Sequence, residues 1–107
     1  MDSITPAALA LRLREPNPPA LLDVREPGEH AFCALPDSRL IPLGELSSRV
    51  EELEDWRERE IVVYCHHGIR SARAAGFLHQ LGFPRIFNLA GGVDRWTDEV
   101  DPKFPRY

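Results

Sequence analysis

The residues best suited to chemistry are Cys65 and the short segment directly after it. This segment reads His66, His67, Gly68, Ile69 and Arg70. Backbone N–H groups of a tight loop and of a helix start form a positive concavity that favours an anion. Such a setting stabilises a thiolate, more so when cationic side chains are close, as Arg70 and Arg73 are in sequence. Cys65 is therefore predicted to act as a nucleophile.

The stretches on either side of this segment predict a strand before it and a helix after it. Ile61–Tyr64 is a β-branched and aromatic run, typical of a strand buried on both faces. Residues 71–81 carry apolar side chains at spacings of three and four, which indicates a helix with one buried stripe. Gly68 suits a sharp turn between the two. A loop so placed lies at the carboxyl end of a sheet, where the sites of open α/β proteins are found.

The rest of the chain alternates further helices with apolar strands. Thr5 and Pro6 form a good helix start, a hydroxyl cap followed by a proline. The alternation predicts a mainly parallel sheet covered by helices on both faces. Residues 1–107 are expected to form one domain, with an irregular tail over 101–107. Besides a short strand ending at Ile4, strands are predicted over 20–24, 39–41 and 85–89, and helices over 6 to about 14, 26–32, 43–53 and from 93.

The composition is that of an ordinary globular domain. The 107 residues carry a net charge of -4 and no basic stripe, so a nucleic-acid partner is not expected. No stretch reaches the ~20 apolar residues of a membrane span, and the apolar run 7–11 is too short for a signal-peptide core. The two cysteines do not make a disulfide framework. A reducing compartment, the cytoplasm, is therefore predicted.

Three polar residues are candidates for the surroundings of Cys65. Asp23 and Arg25 stand at the carboxyl end of the predicted strand 20–24 and are interpreted as a scaffold pair near the loop. Ser71, the first residue of the predicted helix after the loop, is grouped with them. All three are expected to support the site without reacting.

Several residues of the segment admit two interpretations. Arg70 can hold the loop through backbone carbonyls or face an anionic substrate, and the first role is favoured because a guanidinium satisfies several acceptors. His66 and His67 are adjacent and do not readily form the spaced ligand set of a structural zinc site. They are predicted to line the mouth of the pocket, with no metal. Cys33 is either a small core residue, the favoured role, or a resolving thiol.

A series of short motifs, in order and at characteristic spacing, resembles the rhodanese family. The resemblance runs from residue 4 to about 96, and its specificity lies in the whole series because each motif alone is weak. One stretch departs from the family pattern, since Cys33-Ala34-Leu35 stands where many rhodaneses have Gly-His-Ile. The motifs are Leu22-Asp23-Val24-Arg25, Leu35-Pro36, Ile41-Pro42, Cys65-x-x-Gly68-x-Arg70-Ser71, Gly82-Phe83 and Asn88-Leu89-x-Gly91-Gly92 followed by Trp96.

The resemblance implies both a fold and an activity. The fold would be a five-stranded, mostly parallel sheet between helices, and the activity would be sulfur transfer. Cys65 matches the cysteine that takes up a sulfane sulfur, and residues 66–70 match the loop that cradles it. A donor such as thiosulfate would leave a persulfide on Cys65, and no metal or organic cofactor is implied.

A closer similarity suggests the partners. Residues 41–46 and 99–107 are similar to rhodanese domains fused to ubiquitin-activating-like adenylyltransferases. In those proteins the sulfur passes to the C-terminal glycine of a small carrier protein. The similarity therefore implies a ubiquitin-like sulfur carrier or an adenylyltransferase as a partner.

Two other functions remain as alternatives. Phosphatases and arsenate reductases of the same fold have one residue more between cysteine and arginine. The shorter loop from Cys65 to Arg70 encloses less volume around the sulfur, which favours a persulfide over phosphate. Rhodanese domains also occur as non-catalytic binding modules, but inactive ones usually lack the cysteine that is present here as Cys65.

Overall fold

A computed structural model describes residues 2–107 as five parallel strands with helices on both faces. The strand order is β1-β5-β4-β2-β3, so β4 lies at the centre. This confirms the predicted α/β architecture. The strands are β1 Asp2–Ile4, β2 Ala20–Asp23, β3 Arg39–Leu40, β4 Ile61–Tyr64 and β5 Ile86–Leu89, and the α-helices are α1 Pro6–Arg12, α2 Pro27–Phe32, α3 Leu46–Arg49, α4 Ile69–Gln80 and α5 Gly92–Glu99.

The central strand β4 divides the core into two layers. Alternate side chains of a strand point to opposite faces of the sheet. Val63 and Cys65 thus belong to the apolar layer beneath α4, whereas Val62 and Tyr64 belong to the layer that holds Trp96 of α5. Every residue of β4 is buried, which explains the unbroken apolar run in the sequence.

The segment predicted as one helix over 43–53 is a chain of short turns instead. A 3₁₀ turn over Leu43–Glu45 leads into the single α-turn α3, and a second 3₁₀ segment covers Val50–Trp56. Three-residue spacing separates most of the inward-facing residues here, and it suits a 3₁₀ helix, in which residues i and i+3 align. Leu46 and Leu53 are nonetheless buried as expected.

Residues after α5 form neither helix nor strand, yet they pack against the domain. Phe104 is 9% exposed within the Trp96 layer. Its carbonyl accepts a hydrogen bond of 3.1 Å from the hydroxyl of Thr97. No helix within residues 2–107 has the length and apolar character that crossing a membrane requires.

Candidate active site

Cys65 directly follows β4, and backbone hydrogen-bond donors surround its sulfur. Its side chain is almost fully buried, with 1% of its surface exposed. The Gly68 N–H donates to the Cys65 Sγ at 3.1 Å, and the Ser71 N–H approaches it at 3.4 Å. One N–H group belongs to the loop and the other to the first turn of α4, where backbone N–H groups have no carbonyl partner within the helix. They can therefore stabilise negative charge on the sulfur.

Two glycines allow the loop to close this tightly. Gly68 has a φ of 98°, a left-handed conformation that glycine adopts without steric cost. Gly92 begins α5 at a φ of 61° and lies directly against the loop. A Cβ atom on Gly92 would lie 2.5 Å from the Cys65 carbonyl oxygen and closer still to that of His66. Only a residue without a side chain fits there.

The start of α5 holds the loop from the other side. The N–H groups of Val93 and Asp94 donate to the carbonyls of Cys65 and His66, each at 3.0 Å. In the sequence, Gly91 and Gly92 stand out only as part of a family motif, and this contact was not predicted. The signal was the pair itself, because Gly91 and Gly92 both adopt a positive φ.

A buried polar pair connects Cys65 to the neighbouring strand β5. The hydroxyl of Ser71 lies 3.3 Å from the Cys65 Sγ and donates to the Asn88 Oδ1 at 2.5 Å. The Asn88 Nδ2 donates to the Gly68 carbonyl at 3.2 Å, so its oxygen must face Ser71. Asn88 therefore orients both the hydroxyl beside the sulfur and the glycine that donates to it. The sequence analysis named Asn88 only as part of a motif.

Arg70 bonds to Glu29 of α2 and to none of the loop carbonyls within residues 2–107. Its two terminal nitrogens donate to the two Glu29 carboxylate oxygens at 2.7 and 2.9 Å. The bonds from Arg70 lower the pKa of Glu29 to about 2. The positive charge of Arg70 is thus paired with the carboxylate of a residue 41 positions earlier in the chain. This contact is neither the predicted one with backbone carbonyls nor the alternative with an anionic substrate.

Asp23 and Arg25 form a fully buried ion pair. The Arg25 guanidinium donates to both Asp23 oxygens at 2.9 and 2.8 Å, and it also donates to the Tyr107 hydroxyl at 2.9 Å. That hydroxyl in turn donates to Glu29 at 2.7 Å. The pair therefore connects to Arg70 through Tyr107 and Glu29.

The mouth of the site is a pocket of about 250 Å³. The His66 ring is stacked between those of His67 and Tyr107, with both centroid separations at 3.9 Å. Burial, together with the adjacent His67 ring, lowers the pKa of His66, so this imidazole is neutral at pH 7. The lining residues are Cys65, His66, His67, Ile69 and Arg70.

Comparison with known proteins agrees with this geometry. The family described as a rhodanese-like domain matches residues 5–99. The chain belongs to this family. A sulfurtransferase of Allochromatium vinosum is 33% identical over 97 residues, which cover 91% of this chain and 89% of that protein. The crystal structure of a rhodanese-related protein from Thermoplasma volcanium has a TM-score of 0.84 and 37% identity, over 98% of this chain and 96% of that one.

Other relatives of this rhodanese-like domain are much longer proteins. The probable adenylyltransferase/sulfurtransferase MoeZ of Mycobacterium tuberculosis is 31% identical over 99% of this chain but over only 27% of its own length. The chain likewise spans 22 to 30% of two plant relatives. The predicted similarity to domains fused with adenylyltransferases is therefore confirmed at the level of the domain.

One group of side chains in the rhodanese-like domain could hold a cation. His66, His67 and Asp94 each offer a ligand atom within 4.8 Å of the others. Asp94 already accepts a hydrogen bond of 2.7 Å from Arg106. The two imidazole rings are stacked with an interplanar angle of 29°.

Cys33 lies in a different environment from Cys65. It is 8% exposed and packs in the layer of Trp96, on the opposite face of the sheet from Cys65. Its Sγ lies 3.9 Å from the Pro105 carbonyl and 3.8 Å from the Arg25 guanidinium. This position fits a small core residue.

Proposed function

We propose that this chain is a sulfurtransferase that carries a sulfane sulfur as a persulfide on Cys65. The observation that carries the proposal is the contact of the Cys65 Sγ with the N–H groups of Gly68 and Ser71. Family membership and a relative named sulfurtransferase support the same class of reaction. Residues 66–70 would surround the transferred sulfur, and Asp23, Arg25 and Ser71 would hold the loop in place.

The first half-reaction loads the sulfur. The Cys65 thiolate attacks the outer sulfur of thiosulfate, and the S–S bond of the donor breaks with its electron pair leaving on sulfite. The enzyme then holds a persulfide anion, and the total charge is unchanged. The Gly68 and Ser71 N–H groups contact Sγ, so they stabilise the negative charge of the attacking thiolate. Arg70 contributes less, because Glu29 already matches its charge.

The second half-reaction removes the sulfur. An acceptor nucleophile attacks the outer sulfur of the persulfide, the S–S bond to Cys65 breaks, and the electron pair returns to the Cys65 thiolate. The scheme needs no metal or organic cofactor, and it predicts ping-pong kinetics. The Ser71 oxygen lies 3.3 Å from Sγ, and its hydroxyl can donate to the returning thiolate only by leaving the Asn88 Oδ1.

The partners and the compartment are part of the same proposal. Thiosulfate or a low-molecular-weight persulfide would act as donor. A ubiquitin-like sulfur carrier is the proposed acceptor, alone or with an adenylyltransferase, because relatives carry the names sulfur carrier and adenylyltransferase. Two unpaired cysteines favour the cytoplasm as the location.

Formation of thiocyanate from thiosulfate and cyanide tests the proposal. The wild type should turn over and, after thiosulfate alone, should gain the mass of one sulfur atom. Cys65→Ser should do neither, and Cys33→Ser serves as the matched control that should do both. Absence of turnover and of added sulfur with both thiosulfate and glutathione persulfide would contradict the proposal and favour a binding module. Hydrolysis of p-nitrophenyl phosphate that depends on Cys65 would favour a phosphatase.

A further inference from the structure

A second groove opens beside the Cys65 pocket, between the turns around α3 and the outer side of α4. Its volume is about 440 Å³, larger than the pocket at Cys65. Leucine and phenylalanine side chains supply most of its walls, and it holds a single ionisable group, Arg73. The lining residues are Leu43, Gly44, Leu46, Ser47, Arg73 and Phe77.

Arg73 has no carboxylate within ion-pair distance in the part of the chain that the structure describes. Arg70, on the preceding turn of α4, is in contrast held by Glu29. The Arg73 side chain is exposed at the edge of an otherwise apolar groove. The groove is therefore complementary to a ligand that combines an apolar group with a negative charge.

The groove and the mouth of the active site are both lined by residues of α4. Ile69, Arg73 and Phe77 follow one another at intervals of four residues, so they lie on the same side of the helix. Ile69 is 74% exposed and lines the Cys65 pocket, whereas the other two line the groove. Four residues of α-helix span about 6 Å.

This spacing matches that of an extended peptide. Alternate residues of a strand project to the same side, about 6.6 Å apart. A peptide that lies along α4 can therefore place a nucleophile at the pocket beside Ile69, a carboxylate on Arg73 two residues earlier, and an apolar side chain near Phe77 four residues earlier. A small donor such as thiosulfate is too short to reach from the pocket into the groove.

We propose that this groove binds an extended segment of the protein that accepts the sulfur, with an acidic residue on Arg73 and an apolar residue against Leu43, Leu46 and Phe77. The inference rests on the proposed function, because the end of the segment is the acceptor. When the end of the bound segment carries a thiolate, that thiolate attacks the outer sulfur of the Cys65 persulfide. A new S–S bond forms on the peptide, the old one breaks, and Cys65 leaves as the thiolate.

Short thiol peptides test the groove directly. The probe is acetyl-Leu-Gly-Glu-Gly-Cys-amide, and its matched control replaces the Glu by Lys. N-acetylcysteine amide is the acceptor that cannot reach the groove. With wild type loaded from thiosulfate, kcat/KM for the Glu peptide should exceed that for the Lys peptide about tenfold, which corresponds to about 1.4 kcal/mol. Arg73→Glu should reverse this preference.

A second variant tests the apolar part of the groove. A Cβ atom on Gly44 would meet no atom within 4 Å, so Gly44→Leu can fill the groove without disturbing the backbone. It should remove the advantage of both peptides over N-acetylcysteine amide. Thermal unfolding of both variants should remain close to that of the wild type, because Arg73 and Gly44 are exposed.

The outcomes separate the groove from the chemistry. Transfer to cyanide and to N-acetylcysteine amide, with equal rates for the two peptides, would overturn the groove and leave the sulfurtransferase intact. No transfer to any acceptor would overturn the proposed function. In that case fluorescence anisotropy measures binding of the labelled peptides to the Cys65→Ser protein. Preference for the Glu peptide, reversed by Arg73→Glu, would support peptide binding in the groove. Equal or absent binding of the two peptides would overturn it.

Discussion

Cys65 and Cys33 are both buried, yet their surroundings prepare them for different roles. Cys65 is the less exposed of the two, at 1% against 8%. Its sulfur nevertheless receives two N–H groups, from Gly68 at 3.1 Å and Ser71 at 3.4 Å. The Cys33 sulfur receives one longer contact, from the Arg25 guanidinium at 3.8 Å, and lies 3.9 Å from the Pro105 carbonyl. Exposure alone would predict that Cys33 is the more reactive thiol, which is the reverse of the order that we propose.

We propose that the reactivity of a thiol in this fold depends on donors that point at the sulfur. N–H groups stabilise a thiolate, and a carbonyl does not. Residues on β5, α4 and α5 position the donors at Cys65, so substitutions on each of these elements should change its reactivity.

Gly92→Ala should have the largest effect, because its Cβ would overlap the carbonyls of Cys65 and His66. The loop must shift, and a shift of about 1 Å in a catalytic group costs roughly 100-fold in rate. We expect thiocyanate formation to fall by about that factor. The positive φ adds a stability loss of about 1–3 kcal/mol, measurable by urea unfolding. Gly28→Ala, whose Cβ meets nothing within 4 Å, is the control, and an equal loss in both variants would contradict this explanation.

Ser71→Ala should make Cys65 less reactive, so that its alkylation rate comes closer to that of Cys33. The variant removes the hydroxyl at 3.3 Å from the Cys65 sulfur and leaves the Asn88 oxygen without its donor. A neutral hydrogen bond contributes about 0.5–1.5 kcal/mol. Loss of the Ser71–Asn88 bond, which positions the donors around the sulfur, should therefore slow alkylation of Cys65 by iodoacetamide at pH 7 by up to about tenfold. Mass spectrometry of the alkylated peptides measures both cysteines at once. Ser48→Ala, an exposed serine, should leave both rates unchanged, and an unchanged Cys65 rate in Ser71→Ala would sink the idea.

Glu29→Gln should destabilise the fold in a pH-dependent way, because it removes the carboxylate that pairs with Arg70. In the folded protein the pKa of Glu29 is about 2, below the ~4.3 of an unfolded chain. The carboxylate therefore stabilises the fold above pH ~4.3, and this stabilisation is lost as pH falls toward 2. Allowing for partial solvent screening, the variant should be less stable by about 1–2 kcal/mol at pH 7, and the difference should vanish near pH 2.

Denaturant unfolding of both proteins from pH 7 to pH 2 measures this pH dependence. Glu54→Gln removes a similar carboxylate–arginine contact at an exposed site, and it should lower the stability much less than Glu29→Gln does, because solvent screens exposed ion pairs. A stability difference for Glu29→Gln that stays constant across this pH range would show that the carboxylate is not the cause.

Cys33→Ala should have the smallest effect. Cys33 lies on the opposite face of the sheet from Cys65, so it should play no part in sulfur transfer, and turnover should change less than twofold. Steady-state thiocyanate formation over many turnovers measures this. If multiple turnovers failed while the first persulfide formed normally, Cys33 would be a resolving thiol after all.

Much of the fold followed from local pattern. The β-branched run before Cys65, the apolar spacing after it and the cap at Thr5 each predict an element from neighbouring residues, and each element is present. The prediction of one helix over 43–53 was wrong for an equally local reason. Its apolar spacing suits both α and 3₁₀ geometry, so periodicity could not decide between them.

Sequence patterns were enough to predict the parallel α/β sheet, the rhodanese-like family and a donor-lined loop after Cys65. Four features became apparent in the folded protein alone: Arg70 is held by Glu29, Asn88 orients Ser71, Gly92 lies against the loop carbonyls and Arg73 faces an apolar groove. The two groups differ in the distance along the chain over which the interactions act. Periodicity and caps act over one or two helical turns, whereas these contacts join side chains that only the packed sheet and helices bring together.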